Sequence, residues 1–76
     1  MKLYAGGYLD LYLPNRSRTV GIELVQPTSL REILAKLGIP AGEVLLVVIN
    51  GELVDLQEAI VSEQDDVKLY PAVNGG

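Results

Sequence analysis

The chain has 76 residues, 49% of them hydrophobic and 21% charged, with 10 acidic against 6 basic side chains and a formal net charge of -4. That length allows a single domain, which buries about 60% of the surface its unfolded chain exposes, and the apolar share is that of a folding chain. Cysteine and histidine are both absent, which removes disulfides, thiolate metal sites, a cysteine nucleophile and the commonest general base and metal ligand. No Lys/Arg run exceeds the Arg16 and Arg18 pair, so there is no basic stripe of the kind a nucleic-acid surface needs.

The N-terminal MKLYAGGYLDLYL is too short and too interrupted for a signal peptide or a membrane span, and the expectation is a cytoplasmic protein. Within it, Tyr8 to Leu13 alternates, with Leu9, Leu11 and Leu13 on one face, and predicts a half-buried strand. Pro14 to Arg18 supplies turn chemistry, and Thr19 to Val25 resumes the alternation, so the two runs together predict a β-hairpin. Met1 to Ala5 either extends the first strand or stands apart behind Gly6-Gly7.

Gln26-Pro27-Thr28 breaks the pattern, and Ser29 with Glu32 three residues on forms a capping box. A helix starts there, with Leu30, Ile33, Leu34 and Leu37 as its buried stripe. Gly38 and Pro40 end it. The continuous apolar run Val44 to Ile49 predicts a central strand. Asn50-Gly51 predicts a type I′ turn into a short partner strand at Glu52 to Val54. Asp55 to Ser62 is weakly patterned, Glu63 to Asp66 is a polar turn, and Val67 to Tyr70 is a last strand closed by Pro71.

Two hairpins flanking one helix predict an α+β domain, a mixed four- to five-stranded sheet packed on a single helix. This is the ubiquitin-like β-grasp, with one domain over 1–73 and a flexible Gly-Gly tail at 74–76. A last strand parallel to the first in the sheet centre would let the C-terminus project.

Side-chain chemistry is sparse. Asp65 and Asp66 read as solvated turn carboxylates, and Gly6-Gly7 lacks the further glycines, lysine and following helix of a phosphate loop. Tyr4, Tyr8 and Tyr12 share one strand face as surface packing, without the interleaved basic residues of a base-stacking platform. The sheet face away from the helix, however, has nothing to cover it, and Leu53 and Tyr70 join it as a candidate partner surface. The ending Asn74-Gly75-Gly76 has no bulky side chain at its two glycines, so it could thread a narrow tunnel and present a carboxylate.

From Leu45 onward the sequence resembles the sulfur-carrier family that includes the small subunit of molybdopterin synthase and the thiamin-pathway sulfur carrier (MoaD/ThiS). The matching pieces are the strand into Val48-Ile49-Asn50, Leu53-Val54, Asp65-Asp66-Val67 and the ending Tyr70-Pro71-Ala72-Val73-Asn74-Gly75-Gly76, together with the helix start Thr28 to Glu32. The aromatic-Pro-x-Val-x-Gly-Gly ending is similar to the molybdopterin branch, where a second proline usually stands in place of Ala72.

The resemblance implies a carrier that is not itself an enzyme and binds no cofactor or metal. An ATP-dependent activating enzyme would adenylate the Gly76 carboxylate, and a sulfur donor would convert it to a thiocarboxylate, with Gly75 beside it in the reactive tail. Tyr70, Pro71, Val73 and Leu53 would contact partners: the activating enzyme, and either the molybdopterin synthase large subunit or thiazole synthase. Neither nucleic acid nor membrane is an expected partner. The alternatives are a thiamin-pathway carrier and a ubiquitin-like modifier or docking module.

Overall fold

The computed structural model describes residues 1–72. Seven strands and one α-helix follow in order: β1 Lys2–Ala5, β2 Thr19–Gly21, β3 Thr28–Ser29, α1 Leu30–Leu37, β4 Val44–Ile49, β5 Glu52–Val54, β6 Ile60–Val61 and β7 Asp66–Pro71. Five of the strands form one mixed sheet in the order β2-β1-β7-β4-β5, and β3 pairs with β6 in a separate two-stranded ladder. In the large sheet β1 runs parallel to β7, and the other pairings are antiparallel. With one helix across a mixed five-stranded sheet, the protein is a ubiquitin-like β-grasp.

Alternation along β7 and β1 decides which side chains meet the helix. Leu3, Ala5, Val67 and Leu69 point inward and are fully buried, and Val47 of β4 joins them. They share one cluster with Leu30, Ile33 and Leu34 from the helix stripe, while Leu37 packs at its margin. Each such leucine stabilises the fold by about 1.5–3 kcal/mol relative to an exposed position.

The helix ends follow their sequence signals. Ser29 Oγ accepts the Glu32 backbone N–H at 3.2 Å, which satisfies one of the unpaired donors of the first turn. The Glu32 carboxylate completes no reciprocal bond to Ser29 and instead lies 3.9 Å from Lys36 Nζ. At the other end Gly38 takes φ +80°, and Ile39 N–H donates to Leu34 O at 2.9 Å, the closing bond of a Schellman motif. The predicted turn also holds: Asn50 has φ 51° and Gly51 φ 86°, as a type I′ hairpin requires.

The N-terminal third differs from its sequence reading. Tyr8 to Leu13 is no strand. Gly7–Tyr12 forms a 3₁₀ helix, followed by a shorter one at Pro14–Arg16. Leu9 and Leu13 are buried while Leu11 is 57% exposed, so the buried pair has the i, i+4 spacing of a helix that the alternation of leucines also contains. The first sheet strand is the Met1 to Ala5 segment, and β2 pairs with it over Thr19–Gly21. The expected second strand therefore stops well short of Val25, which is fully exposed.

Two polar networks tie the end of the sheet opposite the chain's exit from β7. Asn50 Nδ2 donates to Asp65 Oδ1 at 2.9 Å, Asn50 Oδ1 accepts the Asp66 N–H at 2.9 Å, and Asp65 Oδ2 accepts the Ser62 N–H at 2.8 Å. Glu63 Oε1 accepts the Leu24 N–H at 2.6 Å and lies 3.5 Å from the Met1 ammonium. These donors hold both carboxyls below their ordinary range: for Asp65 the Asn50 amide leads, for Glu63 the Leu24 N–H. The Asp65-Asp66 pair thus serves a turn, in part through bonds rather than solvation alone.

Candidate docking face and the strand that leads to the tail

The outer face of the sheet is assembled by strand register. Tyr70 of β7 stands opposite Leu46 of β4, Lys68 opposite Val48, and Val48 in turn opposite Leu53 of β5. On the other side of β7, Tyr4 of β1 is the partner of Lys68. Leu46 and Leu53 are exposed at 43% and 67%. A register shift between Val44 and Leu46 marks a bulge that leaves Leu45 64% exposed, as expected where an extra residue re-aims a strand.

Tyr70 is half-buried, and its ring lies 6.1 Å from that of Tyr4 at an interplanar angle of 54°, a tilted aromatic pair. Pro71 next to it is buried and pairs with Val44, and Ala72 is exposed. Of the sequence-predicted contact residues, Tyr70 and Leu53 share the outer face, with Leu46 and Val48 between them, whereas Pro71 turns inward. Val73, Gly75 and Gly76, and the expected tail at 74–76, lie outside the described residues.

Sequence reading expects alternate residues of the run Val44 to Ile49 on this face, which Leu46 and Val48 prove to be, and misses Tyr4. Tyr4 joins only through the parallel β1–β7 register. The common strand face expected for Tyr4, Tyr8 and Tyr12 does not exist, because Tyr8 and Tyr12 stand on the 3₁₀ helix. Tyr12 donates its hydroxyl proton to Glu43 Oε2 at 2.7 Å, and that bond raises its phenol above the ordinary range, assisted by partial burial and the carboxylate's charge.

Among the described residues no three His, Cys, Asp or Glu side chains gather as metal ligands. None of the described helices is long and apolar enough to cross a membrane. What the face offers is apolar and aromatic area with Lys68 at its centre, beside the strand that continues into Ala72. The class this defines is a small β-grasp protein with an exposed, largely apolar sheet face.

The chain belongs to the ThiS family, whose family model matches residues 12–76. These are sulfur carriers, small proteins without catalytic side chains of their own that work with activating enzymes and synthases. No curated protein matches the chain. The matched span begins after β1 and most of the first 3₁₀ helix, so Tyr4 and Gly6-Gly7 fall outside it.

Proposed function

We propose that this protein carries sulfur as a thiocarboxylate on Gly76 and delivers it in molybdopterin synthesis, as the small subunit of the synthase. A carboxylate is a poor electrophile, so the activating enzyme first joins it to AMP from ATP with release of pyrophosphate. Sulfide then attacks the acyl carbon and AMP leaves, which gives the thiocarboxylate directly. A persulfide donor would give an acyl disulfide, from which a reducing thiol frees the thiocarboxylate by taking the donor's sulfur into a disulfide. The carboxylate is supplied by Gly76, and the ATP site by the partner.

The observation that supports this reading best is the continuity of the outer face with the ending Tyr70-Pro71-Ala72-Val73-Asn74-Gly75-Gly76. Tyr70 stands within an apolar face, and Pro71 is the last residue of a central strand. A partner bound on that face would receive the following residues directly. The aromatic-proline pair ahead of Val73 and the Gly-Gly ending favours the molybdopterin branch over the thiamin branch.

Intact mass after incubation with ATP, an activating enzyme and a sulfur source tests the chemistry. Exchange of one oxygen for one sulfur is the expected result; lysine-linked adducts would point to a protein modifier instead. Deleting Gly76 should abolish the exchange completely while leaving the melting temperature unchanged, because terminal residues contribute little to a fold unless tied down. Delivery of the sulfur to a pterin precursor by a synthase large subunit, and not to a thiazole, tests the pathway.

A further inference from the structure

Gly6 and Gly7 close β1 directly against the last residues of β7. Gly6 is buried, and its N–H donates to Leu69 O at 2.8 Å. A Cβ on Gly6 would lie 2.9 Å from that same carbonyl oxygen and 2.9 Å from Tyr70 Cδ1. A Cβ on Gly7 would lie 2.6 Å from Pro71 Cγ and 3.1 Å from Pro71 Cδ, and Gly7 also has φ +55°. Contact with backbone and ring excludes a side chain at the first position, and contact plus left-handed backbone excludes one at the second.

The residues that need this space are the last two of β7. The Tyr70 ring lies over Gly6 and the Pro71 ring over Gly7, so each glycine receives one ring. Pro71 has its own φ fixed by its ring, and Ala72 follows it as an exposed residue. These two rings are thus seated at the point where the chain leaves the sheet. We propose that Gly6-Gly7 is a seat that aims the chain leaving β7, and so sets where the Gly76 carboxylate arrives in a partner docked on the outer face. The part concerning the carboxylate rests on the sulfur-carrier reading above; the part concerning direction does not.

The test uses the full chain with Gly7→Ala, Pro71→Ala and the double variant, each checked for folding by thermal unfolding. Two readouts are taken: residual dipolar couplings of the Tyr70 and Ala72 amides relative to the rest of the sheet, and kcat and KM for thiocarboxylate formation with the activating enzyme. Gly7→Ala should shift those couplings and lower kcat on the order of tenfold or more, with KM held within about twofold, because misplacement of a reacting group by about 1 Å costs rate rather than docking. Pro71→Ala alone empties the seat and should also shift the Ala72 coupling. Adding Gly7→Ala to Pro71→Ala should lower kcat much less than Gly7→Ala does alone, since the ring atoms it would strike are gone and only the strain of the left-handed backbone at residue 7 remains.

Couplings unchanged in Gly7→Ala would overturn the seat whatever the enzyme does. An unchanged kcat, or an equal loss from Gly7→Ala in both backgrounds, would overturn its link to the carboxylate. Wild-type protein that takes up no sulfur would overturn the carrier reading instead, and the couplings would still decide the seat.

Discussion

The two faces of the central sheet are built from the same strands and differ in what they meet. On β7, Val67 and Leu69 face the helix and are fully buried, while Lys68 and Tyr70 between them face outward. On β4, Val47 is buried and its neighbour Leu46 is exposed. The inner face is closed by α1 and the 3₁₀ segment; among the described residues nothing closes the outer face. Along β4 the residues on both faces are aliphatic, so there hydrophobicity alone does not separate core from docking surface. Position in the pleat does.

Adjacent residues on β7 should therefore fail in different ways. Leu69→Ala should destabilise the protein by about 2–5 kcal/mol by chemical denaturation, a large part of the total for a domain this small, while the fraction that stays folded keeps its partner affinity. Tyr70→Ala should weaken partner binding by about 1–3 kcal/mol, measured by calorimetry, with a smaller loss of stability from the lost Tyr4 contact. Equal effects of the two substitutions on binding would break the division between the faces.

The smallest effect should come from charges that belong to neither face. Glu63 has a folded pKa below its ordinary value of 4.5, so its contribution to stability is fully present above that value and is lost as pH falls through the lower, folded value. The melting temperature should be flat from neutral pH to about pH 5 and then decline, and Glu63→Gln should flatten the decline without altering partner affinity. A steeper decline in the variant would contradict the ion pair and backbone bond drawn here.

Between Ser29 and Pro71 the main elements were legible because their local signals agreed with the tertiary structure. Ser29 capped, Gly38 turned left-handed, Asn50-Gly51 reversed the chain, and the Val44 to Ile49 run was central. The ladder of β3 Thr28–Ser29 with β6 Ile60–Val61 was not foreseen, two residues being too few to form a pattern. The parallel placement of the last strand beside the first in the sheet was also foreseeable from element order, although the strand occupying that place is Lys2–Ala5. Tyr8 to Leu13 misled because leucines at every second position also supply an i, i+4 pair, and tertiary packing chose the pair. The outer face was legible in Tyr70 and Leu53, which lie on well-marked strands. Tyr4 and the glycine seat were not, because both depend on β1 meeting β7, a contact no local pattern encodes.

That pairing joins Lys2 to Asp66, nearly the full length of the chain, and it has a consequence in time. Closing so large a loop costs entropy before any contact repays it, and topologies dominated by distant pairings fold slowly for that reason. Since β7 lies between β1 and β4, the sheet, the outer face and the ring seats are complete only once it is in place, so refolding followed by stopped-flow and by partner binding should report the same phase.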